Sequence, residues 1–211
     1  MQVQDLHQRY FRTSIALSRM QVKNVISPLD IIKLLNANRI SFVLVGAHGL
    51  AGWLKKPRAT QDVDLVIAEK HLKKTTQILT AAYPQLEPVD LDVVIRLKDR
   101  DTDEVLIDLM KPRELYRQAF KNAQEVTEGK QTYRVPSLEM ALAMKFAAMV
   151  SPNRQQVNKF QDAHDFGQIL LSNPELDREA LQALCETIFV GGGAEVLEII
   201  RKMQAGEKIE L

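Results

Sequence analysis

The sequence predicts an α+β protein: a mixed β-sheet with flanking helices, followed by a helical carboxy-terminal part. Three observations carry this expectation. Aliphatic and β-branched runs such as FVLV, DVDLVI and EVLIDLM alternate with helix-period segments up to about residue 135. From Ser137 onward only helical patterns occur, and the 211 residues, 45% hydrophobic and 26% charged, are enough to bury a proper core. The expected organisation is a helical arm over residues 1–26, an α/β core over 27–135 and a helical region over 136–211.

Taken in order, the first 24 residues read as a polar helix with a loose apolar stripe through Leu6, Tyr10, Ile15 and Leu17. Ser27 before Pro28 is a cap followed by a first-turn proline, opening a helix that carries Leu29, Ile31, Ile32, Leu34 and Leu35 to about Asn38. ISFVLVG (40–46) is a buried strand ending on glycine, and AHGLAGWLKK has helical content despite its two glycines. After the turn-like KPRAT come the strand DVDLVIA and a helix from about Glu69 to Ala82. LDVVIRL and EVLIDLM are strands on either side of the polar tip KDRDTD. A helix from about Pro112 to Asn122 and a short hairpin around Glu128 to Lys130 follow. Four helices complete the chain: SLEMALAMKFAAMV, then about 153–171, 174–189 and 194–204, with GGG at 191–193 as a stop and restart.

The net charge of +1 gives little bulk attraction to nucleic acid or membrane, so any polyanion must meet a local patch. Cys185, the single cysteine, sits in an apolar helical pattern; this excludes a disulfide framework and suits a buried, inert thiol in a reducing compartment. The amino terminus lacks the apolar core of a signal peptide and no apolar run reaches the length of a membrane span. A cytoplasmic protein with no membrane partner is expected.

Two aspartates give the chain its chemistry. Asp62 and Asp64 lie two apart on a strand, hence on one face with Cα atoms about 6–7 Å apart, while Val63, Leu65 and Ile67 mark the opposite face as the buried one. Like charges so close repel unless a cation or strong donors hold them. Asp108 stands in the middle of EVLIDLM, where a charge is unwelcome unless it lines a site. Oxygen-only donors suit Mg²⁺ or Mn²⁺, whereas the scattered histidines (His7, His48, His71, His164) and the lone cysteine argue against zinc. A strand that stops at Gly46 and turns into a helix leaves backbone N–H groups facing an approaching phosphate. Lys55, Lys56 and Arg58 stand ready as charge partners for it, and Arg58 is the favoured one of the three.

The arrangement strand, Gly46-Ala47, helix, Arg58-x-Thr60-x-Asp62-x-Asp64, then a later strand with Asp108 resembles the nucleotidyltransferase superfamily typified by DNA polymerase beta. More closely, VGAHGLAGWLKKPRATQDVDLVI is similar to small bacterial nucleotidyltransferases that include the AbiE-type toxins, a resemblance that covers residues 40–110 well and the helices after Ser137 more loosely. It implies a nucleotidyltransferase fold and transfer of NMP from an NTP to a hydroxyl with release of pyrophosphate. By the same resemblance, Asp62, Asp64 and Asp108 are the catalytic and metal-binding residues, and Gly46 and Ala47 face the phosphates. Many active members have serine where Ala47 stands, so a hydroxyl contact is missing here.

In the carboxy-terminal part Lys145 sits in an apolar helix, and NRQQVNKFQDAHDFGQIL resembles an Arg/Lys-Asp-x-x-Asp pattern of the AbiE-like group. Lys159, Asp162 and Asp165 are spaced by three along one helix side. The resemblance implies that Lys145 and Lys159 reach nucleotide phosphates, with Asp162 or Asp165 orienting them. Expected partners are an NTP, a tRNA or protein acceptor, and a cognate antitoxin or toxin chain. Two other readings stay open: a non-catalytic nucleotide- or partner-binding module of the same fold, and an enzyme acting on a small molecule such as an antibiotic.

Overall fold

In the computed structural model, residues 3–21, 25–113 and 115–209 are described. They fall into two compact units, Met1–Pro136 and Ser137–Leu211.

The first unit is built on a five-stranded sheet. Its strands are β1 (Phe42–Leu44), β2 (Val63–Ile67), β3 (Leu86–Asp90), β4 (Val94–Asp99) and β5 (Val105–Met110), in the order β1-β2-β5-β4-β3. Only β2 and β5 run parallel; the other pairs are antiparallel. Alternation assigns the faces: Val63, Leu65 and Ile67 of β2, Ile107 and Leu109 of β5, and Ile95 and Leu97 of β4 all enter one hydrophobic core. Asp64, Asp108 and Arg96, the residues between them, are left on the other face.

The helices of this unit are α1 (Val3–Gln21), α2 (Pro28–Ala37), the short turns α3 (Gly46–Gly49) and α4 (Ala51–Leu54), α5 (Leu72–Ala82) and α6 (Leu115–Gln118). A hairpin of β6 (Ala123–Glu128) and β7 (Gln131–Pro136) lies against β1 and α1. The expected hairpin is therefore present with longer arms than the turn residues suggested. The helix expected over 112–122 reduces to α6 with flanking turns, because Pro112 and a polar run leave it one buried leucine, Leu115. β3 was not expected: it carries Pro88, tolerable because β3 is an edge strand with one partner. The expected strand LDVVIRL begins only at Val94, since 91–93 form the turn from β3.

α1 carries a different buried face from the apolar stripe expected of it. Leu6, His7, Phe11, Ser14, Ile15 and Ser18 are buried, whereas Tyr10 and Leu17 are only half-buried. The helix packs against α3, α4 and β6, so closely that a Cβ at Gly52 would come within 3.0 Å of the His7 Cα.

The second unit consists of α7 (Leu138–Val150), α8 (Gln156–Ser172), α9 (Arg178–Glu186) and α10 (Gly192–Ala205). Side-chain caps open α7 and α9: Ser137 Oγ accepts from Met140 N and Asp177 Oδ1 from Ala180 N. Phe146, Met149, Phe166, Ile169, Leu181 and Ile200 are fully buried within this unit. Cys185 is buried too, and burial pushes its thiol pKa up to about 12. At the glycine run the Glu186 carboxylate accepts from Gly191 N and Gly193 N, an anion on the first turn of α10. None of the described helices is long and apolar enough to cross a membrane.

Candidate functional site

The site starts where β1 ends. Val45 is still extended and donates its N–H to Asp64 O at 2.9 Å. Gly46 then turns the chain with φ +59°, and its Cα faces the Asp64 carboxylate so closely that a Cβ would stand 1.7 Å from Oδ2. Glycine is required on both counts. The first bond of α3 runs from Gly49 N to Val45 O at 2.9 Å, so the Gly46 and Ala47 amides precede it. Ala47 itself is 6% exposed.

Asp64 is half-buried in β2, and its Cα partner on the parallel strand β5 is Asp108. Asp108 in turn pairs with Arg96 on β4, whose Nε lies 3.6 Å from Asp108 Oδ1. The sheet thus carries one row of charge, Asp64, Asp108 and Arg96, from its middle toward its far edge. Asp62 stands one residue ahead of β2, not within it, and is half-buried; its Oδ1 accepts from Thr60 Oγ1 at 2.5 Å.

Beneath the turn lies His48, 1% exposed, with Nδ1 3.0 Å from Ser14 Oγ. Burial lowers its pKa to about 4; the Arg58 charge adds to the shift and Asp62 opposes it. Arg58 and Asp62 therefore share one electrostatic neighbourhood with the glycine turn. His7 is buried beside them, 3.1 Å from Tyr133 OH, and is likewise lowered to about 4 by burial, with His48 adding to it.

The donors near Gly46 are hard carboxylate oxygens, the kind Mg²⁺ and Mn²⁺ select. Among the described residues no three His, Cys, Asp or Glu side chains converge to hold an ion by themselves. An ion held by one or two carboxylates, and completed by water and triphosphate oxygens, fits this donor set.

Lys145, Lys159 and Asp162 belong to the second unit. Lys145 is 8% exposed, and its Nζ donates to Asp162 Oδ1 at 2.9 Å and Asp165 Oδ2 at 2.6 Å. Arg154 Nε adds a bond to Asp162 Oδ2 at 2.5 Å, and Gln161 Nε2 one to Asp165 Oδ1 at 2.9 Å. Lys159 is half-exposed and makes none of these contacts. The spacing of three thus brings together the two aspartates and leaves the lysine out.

Sequence reasoning passed over Arg96, Ser14 and Ser18. Arg96 had the same signal as Asp108, a charge inside a strand pattern. The serines had another: with His7 and Phe11 they fall at 7, 11, 14 and 18, a strict helical face whose polar members conceal its burial.

The profile of the nucleotidyl transferase AbiEii toxin family, of type IV toxin–antitoxin systems, matches residues 34–206. No curated protein sequence matches the chain. Among solved structures, the solution structure of the antibiotic-resistance factor ANT(2'')-Ia superposes with a TM-score of 0.52 at 14% identity, covering 85% of this chain and 95% of that one. A crystal structure of the same factor with adenylyl-2''-tobramycin gives 0.50 at 13% identity, covering 83% and 94%. An antigenic nucleotidyltransferase-like protein from Paracoccidioides brasiliensis gives 0.47 at 18% identity, covering 92% and 93%. At such identities the likeness to the antibiotic-resistance factor is one of fold.

Proposed function

The chain belongs to the AbiEii nucleotidyltransferase toxin family, and on that premise we propose that it transfers a nucleoside monophosphate from an NTP to a hydroxyl of RNA or protein, within a toxin–antitoxin pair. The observation that carries the reading is the seating of the Gly46 backbone on the Asp64 carboxylate, with Asp108 in register beside it. A triphosphate at the glycine turn would meet the Gly46 and Ala47 amides at one end and the carboxylate row at the other.

In this reading Asp62, Asp64 and Asp108 are the metal-binding carboxylates: one or two of them at a time would hold a divalent cation, Mg²⁺ or Mn²⁺, with water and triphosphate oxygens completing its shell, and it would supply charge neutralisation on the leaving pyrophosphate. The acceptor oxygen forms a bond to the α-phosphorus, the bond from that phosphorus to the β-bridging oxygen breaks, and Asp108 takes the acceptor's proton. Arg58 adds positive charge at the mouth of the turn. In the second unit Lys145, Lys159 and Asp162 are nucleotide-binding residues: Lys145 has a third N–H beyond its two aspartates, and Asp162 fixes its direction.

Two observations bear on the rivals. Ala47, where a serine hydroxyl would touch phosphate, favours a module that binds nucleotide with slow or no turnover. Arg96 beside Asp108 puts positive charge next to the group assigned to the acceptor, which suits an anionic acceptor better than a polycationic drug.

The test is thermal stabilisation by each of the four NTPs with and without MgCl₂, beside Asp62→Ala and Asp64→Ala. A magnesium-dependent shift lost in both variants is expected, followed by label transfer from the α-phosphate that Asp64→Ala abolishes. No shift with any NTP would turn the reading to partner binding. A shift without transfer would turn it to the non-catalytic module.

A further inference from the structure

Ser14 and Ser18 are buried on α1, at 1% and 0% exposure, where a helix packed on a core gains most from apolar side chains. Each hydroxyl is engaged. Ser14 Oγ donates to Phe11 O at 2.8 Å, so the bond to His48 at 3.0 Å is donated by the ring from Nδ1. Ser18 Oγ donates to Ser14 O at 2.9 Å and accepts the Thr60 N–H at 3.0 Å. Thr60, itself 8% exposed, passes the constraint on through Oγ1 to Asp62 Oδ1. A short run of hydrogen bonds thus leads from the body of α1 to a carboxylate of the site.

We propose that α1 is part of the nucleotidyl-transfer site, with Ser18 as the positioning residue that fixes Thr60 and through it the Asp62 carboxylate. The inference rests on the reading of Asp62 as a cation ligand. It also goes beyond the family likeness, because α1 ends at Gln21 while the matched region begins at residue 34.

The physical case turns on what replaces each bond. The loop 55–61 has no regular structure to hold Thr60. Without the Ser18 oxygen its buried amide loses its acceptor, and the loop must shift to find water. Thr60 Oγ1 then leaves Asp62 free to rotate, and its oxygen no longer waits in one direction. Loss of such a supporting hydrogen bond behind a metal-binding carboxylate costs about 10–100-fold in metal affinity. A purely structural serine would lower stability and leave affinity alone.

The experiment is Mn²⁺ binding to the full chain in the presence of each NTP, followed by electron paramagnetic resonance at a temperature where every variant is folded. Ser18→Ala is expected to weaken Mn²⁺ about 10-fold or more, Thr60→Val to match it, and Ser18→Thr, which keeps the hydroxyl, to recover most of the loss. Leu6→Ala, a truncation on the same buried face of α1, is expected to lower the melting temperature and bind Mn²⁺ as the wild type does. Wild-type affinity in both Ser18→Ala and Thr60→Val, with Asp62→Ala impaired, overturns the role of α1 alone, as does an equal loss in Leu6→Ala. Wild-type affinity in Asp62→Ala, or no Mn²⁺ binding by any form, overturns the site reading itself and the proposal with it.

Discussion

A methyl group at position 46 would have to share space with Asp64 Oδ2, 1.7 Å away, on a backbone held at φ +59°. Gly46→Ala is therefore expected to lower stability by about 1–2 kcal/mol through the left-handed conformation alone. It should also abolish magnesium-dependent stabilisation by NTPs, because the turn or the carboxylate must move. Urea unfolding and the thermal-shift assay read the two effects separately, and an alanine variant that kept both would show that the close approach is dispensable. At this scale the acidic residues and the glycine were legible in the sequence because a charge or a Cβ-less residue breaks a strand pattern visibly. Ser14 and Ser18 were not. Their role depends on which helix lies under the turn, and a serine on a helix is by itself unremarkable in any window of sequence. Asp62 was read as a strand residue on one face with Asp64, whereas it stands just ahead of β2, and its tie to Thr60 needed the loop's path.

Between α7 and α8 the second unit holds one buried lysine against two buried aspartates, with Asp162 and Asp165 each 2% exposed. Removing the cation while leaving the anions is the unfavourable case for a buried ion pair, so Lys145→Met is expected to destabilise this unit by about 3–5 kcal/mol. Arg154 and Gln161 remain as partners and place the effect toward the lower end. The double variant Lys145→Met with Asp165→Leu should lose less than the sum of the two single losses, since both ends of one bond are then apolar. Additive losses in chemical denaturation would mean that the bond contributes nothing of its own. The same pair of helices shows what pattern reading can reach at the element scale. The helices after Ser137 were legible from their period, but the full buried face of α8 was not, because Asp162 and Asp165 stand on it among Phe166, Ile169 and Leu170. In the sheet, EVLIDLM was legible as β5 because Val105, Ile107 and Leu109 recur at every second position on either side of Asp108. β3 was not, because an edge strand holding Glu87, Pro88 and Asp90 has little apolar content to betray it.

His7 and His48 both lie inside the first unit, each 1% exposed, and both have pKa values lowered by burial from 6.5 to about 4. Folding therefore keeps them neutral while the unfolded chain takes up protons below about pH 6.5. The sign follows: their contribution is complete above 6.5, falls as the pH drops, and is gone once the pH has passed the folded value near 4. Within that window each histidine gives a slope of about 1.4 kcal/mol per pH unit, or about 3 kcal/mol over its whole range. Two compact units need not unfold together, so a global signal would blur the effect. Trp53 is the only tryptophan, is 7% exposed and lies in the first unit, which makes its fluorescence a reporter of that unit. Urea midpoints read from it should fall steeply between pH 7 and pH 5, where most aspartates and glutamates are still ionised. Replacing His7 and Tyr133 together by phenylalanine removes both partners of one buried hydrogen bond and should halve the slope. A flat profile between pH 7 and 5 would mean that the two rings under the glycine turn are hydrated in solution, and that α1 is not sealed against it.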